Sequence, residues 1–218
     1  MSDFERARQS MVDNQLRTSA VTDWRILTRM AAVPREAFVN DARRPVAYID
    51  DVQWLGEPDS KRFMPAPATF AKLVQLAEVL ETDSVLDIGA GTGYSAAVLA
   101  GLAATVTGIE PDAQLAAVAN ANLANLGITN AKVVAGDIGL VAKSTFDVII
   151  VEGALDQVPA EFFARLSEGG RLVALIRTGV VAVANVYVKS GEGISARAEF
   201  NAMLPSFFSA TRVDEFVF

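Results

Sequence analysis

From residue 68 to about residue 177, short apolar runs alternate with stretches of helical periodicity. Few folds accommodate such a pattern. A helical stretch "ATFAKLVQLAEVL" (68–80) leads into the run "SVLDIG", a helical stretch over about 94–102, the run "TVTGIE", and the helical "DAQLAAVANANLANLG". The runs "AKVVAGD" and "FDVIIVEG", the helical "PAEFFARL" and the run "GGRLVALI" follow. Strands that alternate with helices form a mostly parallel sheet with helices on both faces. "VANVYVKSG" and "ISARAEFNAMLPSF" come next with no helix between them, so they predict antiparallel strands in a meander at the C-terminal end.

The first 67 residues follow another plan. Residues 3–33 have helical periodicity, with Met11, Val12, Gln15 and Leu16 on one face, then Val21, Trp24, Ile26, Leu27 and Met30. Thr22 is the expected cap of the second helix, with Asp23 in its first turn. "VPREAFV" (33–39) starts a short helix at Pro34. Residues 40–68, with prolines at 45, 58, 65 and 67, predict a loop with one short strand, too long for a mere connector. Within it, Tyr48 and Trp54 are expected to pack on the sheet. The expected organisation is an N-terminal helical and loop extension (1–67) covering a site built by the α/β domain (68–218).

Composition removes several chemistries. The chain has no cysteine and no histidine. That excludes disulfides, a thiolate nucleophile, Cys-based zinc sites and a Ser-His-Asp triad. No metal site is expected. A net charge of −7 makes nucleic acid a poor partner. No apolar run reaches the ~18 residues of a membrane span. The opening "MSDFERARQS" lacks the apolar centre of a signal peptide. The expectation is a soluble cytoplasmic protein without a membrane partner.

"VLDIGAGTGYSAA" (85–97) carries the most chemistry. Strand, Gly-x-Gly-x-Gly and helix form a nucleotide-binding arrangement, because glycine lets the backbone approach a ligand and take positive φ. The dinucleotide fingerprint needs its third glycine one residue later, and a Walker A loop needs Gly-Lys-Ser/Thr. Here Tyr94 stands at the former position and the latter is absent. The spacing suits a ligand without a pyrophosphate. Asp87 ends its strand where it can meet a cation. Glu110 ends the next strand, where a carboxylate accepts ribose hydroxyls. Asp137, after the third, is placed to bond an adenine amine. Taken singly, Glu110 could be a surface acid and Asp137 a turn cap. Together they suit a cationic adenosine ligand, S-adenosyl-L-methionine.

The same motifs, with "GIE", "GD" and "FDVIIVEGA", resemble the class I S-adenosylmethionine-dependent methyltransferases, whose fold is Rossmann-like. "MVDNQLR" (11–17), "VPREAFV" (33–39), "AYID" (47–50) and "TGYSAAVLA" are similar to the protein-L-isoaspartate O-methyltransferase family in particular. The resemblance implies methyl transfer to isoaspartyl carboxylates in damaged proteins or peptides, a protein-repair activity. It places Gly89, Ala90, Gly91 and Gly93 along the methionine part of the cofactor, Glu110 on the ribose, and Asp137 and Ile138 beside the adenine. Glu152 and Gly153 face the methyl group and substrate. Glu152 is also a candidate anchor for the cofactor's ammonium. The substrate side begins at Met64, Pro65 and Ala66. Here the chain departs from the family, since Pro65 stands where the family has a hydroxyl. Other acceptors stay open on this ground: a small molecule, or a cofactor-binding protein without transfer. Among nearby cations, Lys61, Arg62 and Arg177 are expected to be solvated surface charges, with an anionic substrate as their alternative partner.

Overall fold

The computed structural model describes residues 2–56, 61–141, 144–179 and 181–207. The first helix, α1 (Asp3–Met11), starts from a reciprocal cap: Glu5 N donates to Ser2 Oγ (3.2 Å) and Ser2 N to Glu5 Oε2 (2.6 Å). It continues through a wide π turn, Val12–Leu16, and buries Met11, Val12 and Leu16. Ala20, at φ 64°, ends this run. The cap of α2 (Trp24–Ala32) is Asp23, whose carboxylate accepts from Arg25 N (2.8 Å). Thr22, the expected cap, stands one residue earlier, and its N–H and that of Asp23 both donate to Gln75 Oε1 (2.7 and 3.0 Å). Short 3-10 turns follow at Arg35–Phe38 and Asp41–Val46.

The loop after them holds two strands rather than one. β1 (Gln53–Leu55) and β2 (Arg62–Met64) pair antiparallel, and residues 57–60, with Pro58, lie outside the described part. The α/β unit then runs α3 (Pro67–Leu76), β3 (Ser84–Ile88), α4 (Tyr94–Leu99), β4 (Thr105–Glu110), α5 (Ala113–Asn125) and β5 (Ala131–Ala135). After a 3-10 turn at Ile138–Leu140 come β6 (Phe146–Leu155), α6 (Ala160–Ala164), β7 (Leu166–Arg177), β8 (Ala182–Ser190) and β9 (Gly193–Ala202).

The main sheet has the order β5-β4-β3-β6-β7-β8-β9. Pairs from β5 to β7 are parallel, while β8 and β9 return antiparallel as the expected meander. The chain works outward from β3 on both sides, so the crevice of an open α/β sheet falls at the C-terminal end of β3, between β4 and β6. Register decides which side chains meet there. Val85 pairs with Val106 and Val148, and Asp87 with Gly108 and Ile150. Partners in a parallel register point the same way, and residues two apart share a face. Asp87, Glu110 and Glu152 therefore emerge on one face, at the ends of three neighbouring strands.

That face carries the larger core. Val85, Val106, Val148 and Ile150 pack there with Phe70, Leu73, Leu99 and Leu115 from the helices. Met11, Leu16, Ile26 and Met30 of the N-terminal extension join the same core. The opposite face, with Leu86, Ile88, Ile149 and Leu172, is closed mainly by Phe162 of the short α6 and by Ile138 and Val141.

Candidate active site

The glycine loop is held by the protein's own backbone. Gly89 N and Ala90 N both donate to Ile109 O (2.9 and 3.1 Å), and Gly93 N donates to Ala90 O (2.8 Å). Gly89 and Gly93 have φ of 96° and 93°, a region costly for any residue with a Cβ. At Gly93 a Cβ would also press on the Ala119 backbone of α5 (3.2 Å). Thr92 Oγ1 donates to Phe38 O (2.6 Å), and Asn122 Nδ2 to Thr92 O (3.0 Å), which ties the loop to the extension and to α5.

Beneath the loop lie two carboxyls with too few partners. Asp87 and Glu152 are 0% and 2% exposed. Ser95 Oγ donates to Asp87 Oδ2 (2.6 Å). Asp87 Oδ1 and both Glu152 oxygens have no donor among the described residues. Burial pushes the Asp87 carboxyl up to about 7. Burial, and then the neighbouring Asp87, raise Glu152 well above the ordinary carboxylate range. Each carboxyl disfavours a charge on the other, so the pair resists double ionisation. A cation between them would offset that resistance.

Glu110, one strand away and also fully buried, is saturated. Arg62 of β2 grips it in a two-pronged pair, Nε to Oε1 (2.8 Å) and Nη2 to Oε2 (2.7 Å). Gly91 N donates to Oε2 (2.8 Å) and Asp112 N to Oε1 (3.0 Å). The Arg62 guanidinium in turn lies 4.8 Å from the centre of the Phe207 ring. That ring covers Gly89, where a Cβ would stand 2.4 Å from Phe207 Cε2. Leu55 covers Gly91 in the same way, at 2.7 Å.

The N-terminal motifs interlock around the substrate-side stretch. Arg35 of "VPREAFV" is fully buried and donates to Ala47 O (2.8 Å) and Pro65 O (2.6 Å), with its guanidinium over Tyr94. Tyr48 of "AYID" donates its hydroxyl to Glu36, and its carbonyl accepts from Gln15 of "MVDNQLR" (2.8 Å). Asp50 caps α3 from outside the helix by accepting from Ala68 N (3.0 Å). These contacts fix Met64, Pro65 and Ala66. Met64 and Pro65 are buried, and Ala66 is partly exposed.

The structure thus gathers Asp87, Gly89, Gly91, Glu110, Glu152 and Gly153 at one end of the sheet. Ala90 and Ile138 are buried nearby, while Asp137 is exposed and accepts from Gly139 N (2.9 Å) as the cap of its turn. Arg62, expected on the surface, is buried because Glu110 supplies the counter-charge its desolvation needs. Lys61 is exposed, and Arg177 faces Asp156 at 3.8 Å. Tyr48 packs as expected, but Trp54 is 49% exposed and meets Phe63 edge to face. Sequence reasoning missed the Arg62–Glu110 pair, the Phe207 cover and the pairing of Asp87 with Glu152. Only the last had a signal: two acids on adjacent parallel strands, offset by two residues in register and so on one face.

The donor set suits a phosphate-free cationic ligand. Carboxyl oxygens dominate the crevice, and three of those at Asp87 and Glu152 lack donors. Ribose hydroxyls can replace the guanidinium on Glu110. S-adenosylmethionine fits this chemistry, although Arg62 and Phe207 lie on the surfaces that would receive it.

Comparison with known proteins agrees with the motifs. Residues 6–204 match the family model of protein-L-isoaspartate(D-aspartate) O-methyltransferases. The protein-L-isoaspartate O-methyltransferase of Koribacter versatilis is 41% identical over 177 residues, covering 79% of this chain and 78% of that protein. A second such enzyme, from Shewanella sediminis, is 41% identical over 172 residues, covering 78% and 69%. A solved structure of a protein-L-isoaspartate O-methyltransferase superposes with a TM-score of 0.79 at 25% identity, covering 93% of this chain and 66% of the other. Motifs, sheet order and relatives converge: the chain belongs to the family of S-adenosylmethionine-dependent protein-L-isoaspartate(D-aspartate) O-methyltransferases.

Proposed function

We propose that this chain methylates the free carboxylate of isoaspartyl residues in proteins and peptides, with Asp87 and Glu152 receiving the ammonium of S-adenosylmethionine. The observation that carries the assignment is the buried acid pair beside the glycine loop, with three oxygens that lack donors among the described residues. In this reading Glu110 takes the ribose, Asp137 and Ile138 flank the adenine, and Gly89, Ala90, Gly91 and Gly93 line the methionine part. Met64, Pro65, Ala66 and Gly153 form the acceptor side, roofed by the 1–67 extension.

The bound cofactor supplies an electrophilic methyl group on a sulfonium. The protein's task is to hold the acceptor oxygen in line with it, an orienting effect worth about 7–11 kcal/mol in favourable cases. A carboxylate acceptor, with a pKa of about 4, is already ionised, so no general base is needed. A chain without histidine or cysteine can therefore perform this transfer. Burial and the neighbouring Asp87 disfavour a charge on Glu152 in the unloaded protein, and a bound ammonium would compensate it, so both states lessen its repulsion of an incoming carboxylate.

The acidic chain, at −7, favours a polypeptide over a nucleic acid partner and agrees with a cytoplasmic setting. No helix among the described residues is long and apolar enough to cross a membrane. The test is transfer of labelled methyl to an isoaspartyl peptide, with the aspartyl peptide as control. A base-labile ester on the first alone supports the reading. Pro65 favours a second reading, a small-molecule acceptor: it offers no hydroxyl, and its carbonyl is already taken by Arg35. Cofactor binding without any isoaspartyl ester would exclude the first reading and leave a small-molecule acceptor or binding without transfer.

A further inference from the structure

We propose that Arg62 and Phe207 form an internal plug that occupies the cofactor's place in the unloaded protein, so that binding requires both side chains to leave. The inference rests on the cofactor reading above. Three independent contacts carry it. First, the Arg62 guanidinium makes on Glu110 the bidentate donation that a ribose diol would make, at 2.7 and 2.8 Å. Second, the Phe207 ring lies on the face of Gly89 that the loop leaves bare of side chain, and stacks under Arg62 at 4.8 Å. Third, the segment bearing Phe207 is seated by backbone bonds. Ala154 N donates to Pro205 O (3.0 Å) and Phe207 N to Ala154 O (2.9 Å). Gly153 permits this seating, since a Cβ there would stand 3.2 Å from Phe207 Cα.

The plug imitates its competitor. It presents a cation and donors to the ribose acid, and a flat ring to the glycine loop. Glu110 thereby stays paired in the absence of ligand, which avoids an uncompensated buried charge. The seating is also reversible in construction. Two backbone hydrogen bonds and a ring contact contribute to it, and a cavity of about 650 Å³ lies along the segment Met203–Ser206.

A plug taxes affinity by the fraction of molecules in which it is open. Calorimetric titration with S-adenosylhomocysteine should therefore give a Kd about tenfold tighter for Phe207→Ala, and for Arg62→Gln, than for the natural chain. Both variants should melt at lower temperature without ligand, since each loses contacts. A purely structural role for these residues would lower the melting temperature and leave Kd unchanged or weaker, which overturns the plug. Hydrogen exchange gives a second readout on the natural chain. Adding S-adenosylhomocysteine should speed exchange at the amides of Ala154 and Phe207. Slower exchange there would mean that the segment closes over the ligand instead, and the plug is wrong. Binding absent from all three proteins removes the cofactor reading, and the plug with it. Binding that is present but equal in all three removes the plug alone.

Discussion

Two acidic regions, one strand apart on the same face of the sheet, are equally buried and oppositely treated. Glu110 receives four hydrogen bonds, two from a guanidinium and two from backbone amides. Asp87 and Glu152 receive one from Ser95 and otherwise face each other. Burial alone therefore does not set the state of a carboxyl here. Glu110 is held by donors on both oxygens, whereas burial raises Asp87 and Glu152 and leaves three of their oxygens without a donor among the described residues. The first ties the glycine loop to β2 and to the start of α5, and the second is the acid pair on which the proposed cofactor reading rests.

The largest effect that would break this contrast comes from Glu110→Ala. It strands the Arg62 guanidinium and two backbone N–H groups, and removal of one partner of a buried ion pair costs about 3–5 kcal/mol. Urea unfolding measures the loss. A change below about 1 kcal/mol, the value of an exposed pair, would show that Glu110 does not anchor this region.

Next in size is the pH course of the pair. Both carboxyls are raised by burial, and Asp87 reaches about 7. The folded state then holds protons that the unfolded chain releases near pH 4. Stability of the unloaded protein should accordingly be greatest at low pH with respect to these groups. It should fall as pH rises from about 4, with the Asp87 share of the loss complete once pH passes about 7. The groups facing the pair are Ser95, which lowers Asp87, Glu110, which raises it, and Arg35, which lowers Glu152. Glu152→Gln should flatten the fall. It should also weaken S-adenosylhomocysteine by tenfold or more, since a hydrogen bond to a charged group is worth about 1.5–3 kcal/mol. An unchanged slope in the variant would place the titration elsewhere.

The two regions also differ in how far the sequence reveals them. Strand periodicity and the glycine loop place Asp87, Glu110 and Glu152 at the ends of consecutive parallel strands, because βα alternation leaves little freedom in sheet order. The alternation therefore discloses the sheet and its crevice. What it hides depends on contacts distant in sequence. Arg62 sits in a loop whose hairpin has only three-residue strands, and its partner lies 48 positions away. Phe207 follows the last strand, where no periodicity remains to say which way a ring turns. Thr22 and Asp23 show the same limit on a smaller scale: both residue types can cap a helix, and where the backbone enters α2 puts Asp23 at the cap.

The smallest expected effect is also the sharpest test of the contrast. Ser95 lies in the first turn of α4, and its hydroxyl donates to Asp87 Oδ2 at 2.6 Å. Ser95→Ala removes the donor and leaves the fold's apolar contacts intact. A hydrogen bond to an ionised carboxylate contributes more than one to the neutral acid, so the loss should depend on pH. At pH 8, with Asp87 charged, it should be about 1.5 kcal/mol or somewhat more, and at pH 5 nearer 0.5–1 kcal/mol. Losing a donor that favours the charged form also moves the Asp87 titration further up, so the Asp87 share of the loss should be complete at higher pH than in the natural chain. Denaturant unfolding at the two pH values separates the possibilities. An equal loss at both would mean that Asp87 does not change charge between them, and the pair would then be as settled as Glu110.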